Sequence, residues 1–139
     1  MKMKLYTFLN YGGNCEEAFG FYEKNLGAQI VMMMHRGEEP NSERPSAGAA
    51  PSVLHARLAI GGTILIGSDV PSERFQPLRS AYLTLVVDTT KDAERIYELL
   101  KADGEVYMPM EETFYAFRFA MLRDRFGTSW MILHEKLRA

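Results

Sequence analysis

The sequence predicts an α+β fold built from two copies of a βαβββ module. Strand-like and helical apolar patterns recur in the same order in the two halves, which open at Tyr6 and Tyr82, and a glycine follows each helical pattern at a similar distance. A chain of 139 residues is long enough for two small fused modules with a real core. We therefore expect a first module over 1–70, a linker over 71–80 and a second module over 81–139, which together form a single domain.

The composition excludes several classes of function. The chain is 47% hydrophobic and 24% charged, its net charge is −2 and its basic residues are scattered, so neither nucleic acid nor an anionic membrane is an expected partner. Cys15 is the single cysteine, which rules out an internal disulfide. No apolar run reaches membrane-spanning length and the first residues lack a signal-peptide pattern, so we expect a cytoplasmic protein.

The first module begins with a strand over 5–10 and continues with a helix. Asn14 is the expected N-cap of this helix, with a glutamate three residues later completing a capping box, and Gly27 is its stop. The apolar stripe of the helix comprises Cys15, Ala18, Phe19, Tyr22 and Leu26. A place on this stripe predicts that Cys15 is an inert core thiol. A second strand covers 29–34.

The next segment, 36–52, has almost nothing to bury, and a loop of this length is typical of a lid, a binding loop or disorder. Strands over 53–60 and 63–69 then form a hairpin, because Gly61 and Gly62 make a strong two-residue turn pattern. This register pairs Ile60 with Thr63, Leu58 with Leu65, Arg57 with Ile66 and His55 with Ser68. One face of the hairpin is then apolar, and the other is a mixed surface that suits either a ligand-binding wall or solvent.

The second module repeats this order of elements. Its strands are expected over 82–87, 105–108, 114–122 and 129–133. A helix with capping residues at 89–92 and a stop at Gly104 follows the first strand. The last two strands form a hairpin, because Asp124 and Gly127 supply turn chemistry between them.

Several short segments point to a known family when they are taken together with the repeat. They are residues 14–19, Phe21-Tyr22, Leu26-Gly27, 55–58, 60–62, Ser68-Asp69, 124–127 and 130–132. With these segments the chain resembles the vicinal oxygen chelate superfamily, also called the glyoxalase/bleomycin-resistance/dioxygenase fold, and within it the PhnB-like branch. The resemblance implies a curved mixed β-sheet half-barrel with helices on its convex side, a ligand inside it, and a homodimer. In this superfamily the paired modules come from one chain or from two chains of a dimer.

The resemblance does not extend to the metal site. Metal-dependent members place four His, Glu or Gln ligands on the concave side, and the matching positions here hold Tyr6, Ile66, Tyr82 and Met131. Isoleucine and methionine cannot ligate a hard divalent ion, and tyrosine is an uncommon ligand. We therefore expect no metal and no cofactor, which disfavours the metal-dependent enzymes of the superfamily. The demethylubiquinone methyltransferase label of some members is rejected, because no Gly-rich turn between a strand and a helix is present.

The same matching positions indicate which side chains line the concave side. The expected ligand-binding residues are Tyr6, Phe8, His55, Arg57, Ile64, Ile66, Ser68, Tyr82, Thr84, Phe117, Phe119, Met121 and Met131. They form an aromatic, partly polar pocket of the kind that binds small molecules. By strand parity, Arg118 points away from this pocket.

Two polar residues of this set have alternative interpretations. Arg57 either binds an anionic group of a ligand or forms an ion pair with a loop carboxylate such as Glu38, Glu39 or Glu43. His55 is the candidate catalytic residue, as an acid-base group, or else an anchor for the ligand, and the alternative is a hydrogen bond to Ser68.

Three functions stay open at this point, and whether the protein is an enzyme is undecided. The first is a metal-independent, non-catalytic binder of a small molecule. The second is a metal-independent enzyme in which His55 is the acid-base group and Arg57 holds an anionic substrate. The third is a structural or regulatory dimer whose pocket is vestigial.

Overall fold

The computed structural model describes residues 1–38, 40 and 52–136, so most of the predicted loop 36–52 lies outside the described residues. The chain divides into two compact units, Met1–Phe75 and Gln76–Ala139. Each unit is a four-stranded mixed sheet with one α-helix. The predicted α+β class with two βαβββ modules is confirmed. The boundary between the units falls within the segment predicted as a linker, and the grouping of both modules into one domain stays a prediction.

The first module has the strand order β1-β4-β3-β2, in which β1 pairs with β4 in parallel and the other pairs are antiparallel. Its elements are β1 (Thr7–Tyr11), α1 (Cys15–Asn25), β2 (Gln29–His35), β3 (Val53–Ile60) and β4 (Thr63–Asp69), followed by a 3₁₀ turn at Ser72–Arg74. Alternation along the strands places Leu9, Ala56, Leu58 and Leu65 in the core beneath α1.

The β3–β4 hairpin forms as predicted. Gly61 and Gly62 have positive φ angles of 56° and 81°, as the two central positions of a type I′ turn require. The predicted pairs of Ile60, Leu58 and Arg57 with residues on β4 are all present. The ladder ends at Ala56–Gly67, one residue before the predicted pair of His55 with Ser68.

The N-terminus of α1 is capped differently from the prediction. The Asn14 side chain makes no capping hydrogen bond. Instead, Oδ1 of the buried Asp69, at the end of β4, accepts the backbone N–H groups of Gly13 at 3.1 Å and Cys15 at 2.9 Å, while Oδ2 accepts the N–H of Val53 at 2.8 Å. One carboxylate thus joins α1, β3 and β4. Asn14 occupies the N-cap position, as predicted, but its side chain does not make the capping bond, because the acceptor comes from more than 50 residues away, beyond the reach of a local pattern.

The second module has the equivalent strand order β5-β8-β7-β6, again with one parallel pair between its first and last strands. Its elements are β5 (Leu83–Val86), α2 (Thr90–Lys101), β6 (Glu105–Glu111), β7 (Ala116–Arg123) and β8 (Ser129–Glu135). Thr89 caps α2 by accepting the N–H of Asp92 at 3.0 Å, as predicted. After α2, the residue with positive φ is Asp103 (58°), not the predicted Gly104. A glycine is needed at 104 for another reason, because a Cβ there would lie 2.3 Å from the carbonyl oxygen of Arg123.

Candidate functional site

The face of the first sheet that points away from α1 carries the predicted ligand-binding residues of this module. The register aligns Phe8, Ile66, Arg57 and Met32 in one row across the four strands. Gly67, the neighbour of Ile66, lies against Phe19 of α1, so by alternation this row is on the opposite face. Phe8 leaves 55% of its surface exposed, whereas Ile66 in the centre of the row is buried.

Tyr6, Arg57 and His55 form one contact cluster on this face. The guanidinium carbon of Arg57 lies 5.6 Å from the centroid of the Tyr6 ring. Its Nε donates a hydrogen bond of 3.3 Å to Nε2 of His55. Since a guanidinium can only donate, Nε2 must accept, and His55 in this arrangement is a neutral ring with its proton on Nδ1. We call these three residues the Tyr6–Arg57–His55 cluster.

The positive charge of Arg57 is not neutralised within this cluster. In the described part of the chain, no carboxylate oxygen lies within 4.0 Å of its guanidinium. Glu38, one of the three carboxylates considered as partners, instead contacts Nδ1 of His35 at 2.7 Å. Glu39 and Glu43 lie outside the described residues.

Two further predicted ligand-binding residues of this module, Ser68 and Ile64, do not belong to the Tyr6–Arg57–His55 cluster. The buried Ser68 places its Oγ 3.4 Å from the carbonyl oxygen of Val53 and 3.5 Å from that of Asp69, so the alternative role of Ser68 as the partner of His55 is wrong. Ile64 pairs with Ala59 near the hairpin turn, where it extends the same face.

The corresponding face of the second module is more apolar. Thr84, Met131, Met121 and Met108 align in one row, with Oγ1 of Thr84 located 3.8 Å from Sδ of Met131. Phe119, in the same strand as Met121, is buried against Tyr115 with the ring centroids 5.9 Å apart.

Tyr82 lies just before β5 in a cluster of its own. Its hydroxyl accepts a hydrogen bond of 3.2 Å from Arg79, and its ring centroid lies 6.2 Å from that of Tyr107. The Arg79 guanidinium also stacks 4.1 Å from the Tyr107 centroid. These contacts bring Tyr82 together with two residues that the sequence did not single out.

Phe117 does not share the face of Met121, contrary to the strand parity used in the prediction. A register shift between Ala116 and Arg118 makes Phe117 an extra residue in β7. Its ring lies 5.0 Å from that of His134, which contacts Thr90 of α2 at 3.3 Å. The bulge therefore turns Phe117 toward the helix side of the sheet.

Arg118 points away from the candidate face, as predicted. Its Nε donates a hydrogen bond of 3.0 Å to Glu94 of α2. Like Arg57, Arg118 is an arginine on a β-strand, but its charge is neutralised by a carboxylate.

Sequence reasoning missed two methionines of the candidate face in the first module. Met32 pairs with Arg57, and Met34 pairs with His55. Three consecutive methionines show no alternation that would indicate a face, and a register shift after Ile30 changes the parity of the residues that follow it.

Few side chains among the described residues could act as metal ligands or nucleophiles. Within residues 1–38, 40 and 52–136, no group of three His, Cys, Asp or Glu residues could hold a metal ion. Cys15 is fully buried, and this burial, reinforced by the nearby charge of Asp69, raises its pKa to about 12. Its thiol is therefore protonated at neutral pH, in agreement with the expected inert core thiol. No helix among the described residues is long and apolar enough to cross a membrane.

The sequence matches one known protein family over most of its length. A family model described as 3-demethylubiquinone-9 3-methyltransferase matches residues 3–133. The chain belongs to this family. This member of the 3-demethylubiquinone-9 3-methyltransferase family is 34% identical over 143 residues to Protein YjdN of Escherichia coli K12, and the alignment covers 94% of each chain.

Solved structures agree with this assignment to the 3-demethylubiquinone-9 3-methyltransferase family. Protein PA1353 from Pseudomonas aeruginosa is 33% identical with a TM-score of 0.83, covering 96% of this chain and 98% of that one. The PhnB protein from Bacillus cereus is 25% identical with a TM-score of 0.80, covering 95% and 99%. The fosfomycin resistance protein FosX from Listeria monocytogenes shares the fold at 12% identity and a TM-score of 0.65, covering 99% and 96%. The predicted membership of the PhnB-like branch of the vicinal oxygen chelate superfamily is confirmed.

Proposed function

We propose that this protein binds a small aromatic or apolar molecule with an anionic group, on the face of the first sheet that points away from α1. The observation that carries the proposal is the Tyr6–Arg57–His55 cluster, in which a guanidinium without a carboxylate partner in the described part of the chain lies between an aromatic ring and a neutral imidazole. A guanidinium held in this way presents its remaining N–H groups to a carboxylate, phosphate or phosphonate.

The surroundings of the cluster favour an apolar body for this ligand. Phe8 and Ile66 share the row of Arg57 on one side, and Met32 follows on the other. Apolar walls with a few polar groups are typical of small-molecule sites. The predicted ligand-binding residues Thr84, Met121 and Met131 form an apolar face of the second module, and we propose this face as a separate binding surface of that module.

Binding in this proposal needs no metal ion. Of the four positions that hold metal ligands in metal-dependent members of the superfamily, Ile66 and Met131 supply no hard donor. The two positions on the first strands hold Tyr6 and Tyr82, and Tyr6 is engaged with Arg57 while Tyr82 is engaged with Arg79. Methyl transfer is not part of the proposal, although the family description names it.

Calorimetric titration of the purified protein with benzoate, phenylphosphonate and uncharged benzyl alcohol tests the proposal. Arg57→Gln is expected to weaken binding of the two anions about tenfold or more and to leave the alcohol almost unchanged, because a charge-assisted hydrogen bond is lost. Arg118→Gln is the matched control, since that arginine is also on a strand but is neutralised by Glu94. Equal anion affinity in the wild type and Arg57→Gln would exclude the proposed site.

The second candidate function is acid-base catalysis by His55. The contact that favours it is the hydrogen bond from Arg57, because it fixes the tautomer with the proton on Nδ1. An anionic ligand that draws the guanidinium away would free Nε2 to act as a base. Once a converted ligand is known, loss of turnover with retained binding in His55→Gln would separate this enzyme from a simple binder.

Assembly as a cytoplasmic homodimer belongs to the same proposal. Sedimentation equilibrium at micromolar concentration would then give twice the chain mass of 15.8 kDa. A monomer mass would remove the dimer from the proposal without affecting the test of Arg57.

A further inference from the structure

A separate cavity opens at the end of β4 in the first module. Its volume is about 480 Å³, and its lining includes Gly13, Arg36, Asp69, Val70 and Arg74. This volume lies within the range of small-ligand sites. Of the lining residues that the structure describes, none belongs to the Tyr6–Arg57–His55 cluster and none is aromatic.

Among the described lining residues, Asp69 is the one carboxylate, and both of its oxygens already accept hydrogen bonds. Both oxygens of Asp69 accept backbone N–H groups, from Gly13 and Cys15 on one side and from Val53 on the other. The bond to Cys15 also uses the first N–H group of α1, so this group is not available to a ligand. What the cavity offers is therefore its two arginines.

Arg36 is held at the cavity by a neutral acceptor. Its guanidinium donates a hydrogen bond of 2.5 Å to the backbone carbonyl oxygen of Asp69, and its own backbone N–H donates to the carbonyl oxygen of Ser52 at 2.9 Å. A carbonyl oxygen orients the guanidinium without cancelling its charge. Within residues 1–38, 40 and 52–136, the other N–H groups of the Arg36 guanidinium have no hydrogen-bond partner.

Arg74 adds a second positive charge. It lies in the turn Ser72–Arg74, which directly follows the strand end that carries Asp69, and its side chain is exposed. Among the residues that the structure describes, no carboxylate oxygen lies within 4.0 Å of the guanidinium of Arg74 or of Arg36. The described lining residues, two arginines and one carboxylate, thus carry a net positive charge.

We propose that this cavity is a second binding site, specific for a small, polar, doubly charged anion such as a phosphate monoester or a dicarboxylate. Two guanidinium groups match the charge and geometry of such groups, since each can donate two parallel N–H bonds. The ligand class differs from that of the Arg57 face, where the surroundings are apolar and a single arginine is available.

The test is a ¹H–¹⁵N NMR titration of the full chain with inorganic phosphate and, separately, with succinate, at constant ionic strength set by sodium chloride. The amides of Gly13 and Val70 are expected to shift saturably with millimolar or tighter affinity. Arg74→Gln and Arg36→Gln are each expected to weaken the response about tenfold, the value of one lost charge-assisted contact. Arg74→Gln is the cleaner variant, because the Arg74 side chain makes no hydrogen bond or ion pair within the described residues.

Controls separate this site from the Arg57 face. Arg57→Gln is expected to leave the Gly13 and Val70 response unchanged, and so is Arg118→Gln. Stronger binding of succinate than of phosphate would assign the site to dicarboxylates, and the reverse order would assign it to phosphate monoesters. The proposal is overturned if Gly13 and Val70 show no saturable shift, if chloride alone reproduces the shift, or if the affinity is unchanged in both Arg36→Gln and Arg74→Gln. None of these failures would affect the proposal for Arg57.

Discussion

Trp130 and Asp124 are joined across the turn of the last hairpin by a hydrogen bond of 2.8 Å from indole Nε1 to carboxylate Oδ2. The other carboxylate oxygen accepts the backbone N–H groups of Phe126 and Thr128, each at 3.0 Å. Trp130 and Asp124 are both buried. A single side chain therefore holds the turn and fixes the largest ring of the second core at the same time.

Asp124→Ala is expected to lower the free energy of unfolding by about 3–4 kcal/mol, because three buried donors lose their acceptor. Trp130→Phe removes one donor and part of the ring, so we expect a smaller loss of about 1–3 kcal/mol. Urea unfolding followed by circular dichroism measures both changes. Since Trp130 is the only tryptophan, its fluorescence in Asp124→Ala reports the local change directly. A loss below about 0.5 kcal/mol in Asp124→Ala would show that water replaces the carboxylate.

The two helices are expected to respond differently to loss of the side chain at their N-cap. Thr89→Ala should cost about 1 kcal/mol, because its hydroxyl accepts the N–H of Asp92. Asn14→Ala should cost less than about 0.5 kcal/mol, because the Asn14 side chain caps nothing. Asp69→Ala should cost about 3 kcal/mol, because it removes the actual cap of α1 and the bond to Val53. Urea unfolding of the three variants decides the matter, and a larger loss in Asn14→Ala than in Asp69→Ala would contradict the observed cap.

His35 is expected to make the stability of the first module depend on pH. Its ring nitrogens contact Glu16 at 2.6 Å and Glu38 at 2.7 Å, and the hydrogen bond to Glu16, followed by that to Glu38, raises the pKa of His35 above its usual 6.5. A raised folded-state pKa gives a stabilisation that is fully present below the unfolded-state value and is lost as the pH rises through the folded-state value.

Comparison of the wild type with His35→Gln measures this contribution. The difference in the free energy of unfolding should be about 0.5–1 kcal/mol near pH 5.5 and should shrink on the alkaline side of the folded-state pKa, as for other exposed ion pairs. Glu16→Gln should remove part of the same pH dependence, since Glu16 is the larger cause of the shift. A difference that grows with rising pH would have the wrong sign for this ion-pair network.

Gly67 on β4 is expected to tolerate no side chain. A Cβ at this position would lie 2.6 Å from Cζ of Phe19 and 2.8 Å from Sγ of Cys15, so Gly67→Ala should cost about 2 kcal/mol through overpacking against α1. Gly20→Ala, within α1, is the control, because a Cβ there meets no heavy atom within 4 Å. That control should gain about 0.5–1 kcal/mol of helix stability. Thermal unfolding of both variants measures the contrast, and equal effects would show that the packing around Phe19 relaxes easily.

The parts of the fold that the sequence predicted correctly are those encoded by neighbouring residues. Gly61-Gly62 determines the β3–β4 register within the turn itself, and Thr89 caps a helix that begins at the next residue. The N-cap position of α1 was predicted correctly, but its capping acceptor was not, because that acceptor is Asp69, which only the folded sheet brings to Cys15. A local sequence pattern predicts hydrogen bonds between residues that are close in sequence. It cannot predict a capping carboxylate that lies on a distant strand of the sheet.

Predictions for the candidate site were likewise correct where a local pattern decides the position of a residue and wrong where it does not. Strand alternation correctly placed Arg57 on a face with Phe8 and Ile66, because no register shift separates these residues within β3, β4 and β1. Parity failed at Phe117, since one extra residue in β7 reverses the side to which it points. The cavity between Arg36 and Arg74 could not be predicted, because it depends on which backbone groups satisfy Asp69.

The role of Asp69 also constrains the order of events on the ribosome. The first turn of α1 and the start of β3 both depend on a carboxylate at the very end of β4, and β4 is also the strand with which β1 pairs. The nascent chain emerges with its N-terminus first. More than fifty residues after Cys15 must therefore leave the exit tunnel before the N–H of Cys15 can bind the Asp69 carboxylate. We expect the first module to dock cooperatively once Asp69 has emerged, and a translational pause before that point would expose an uncapped helix and an unpaired strand.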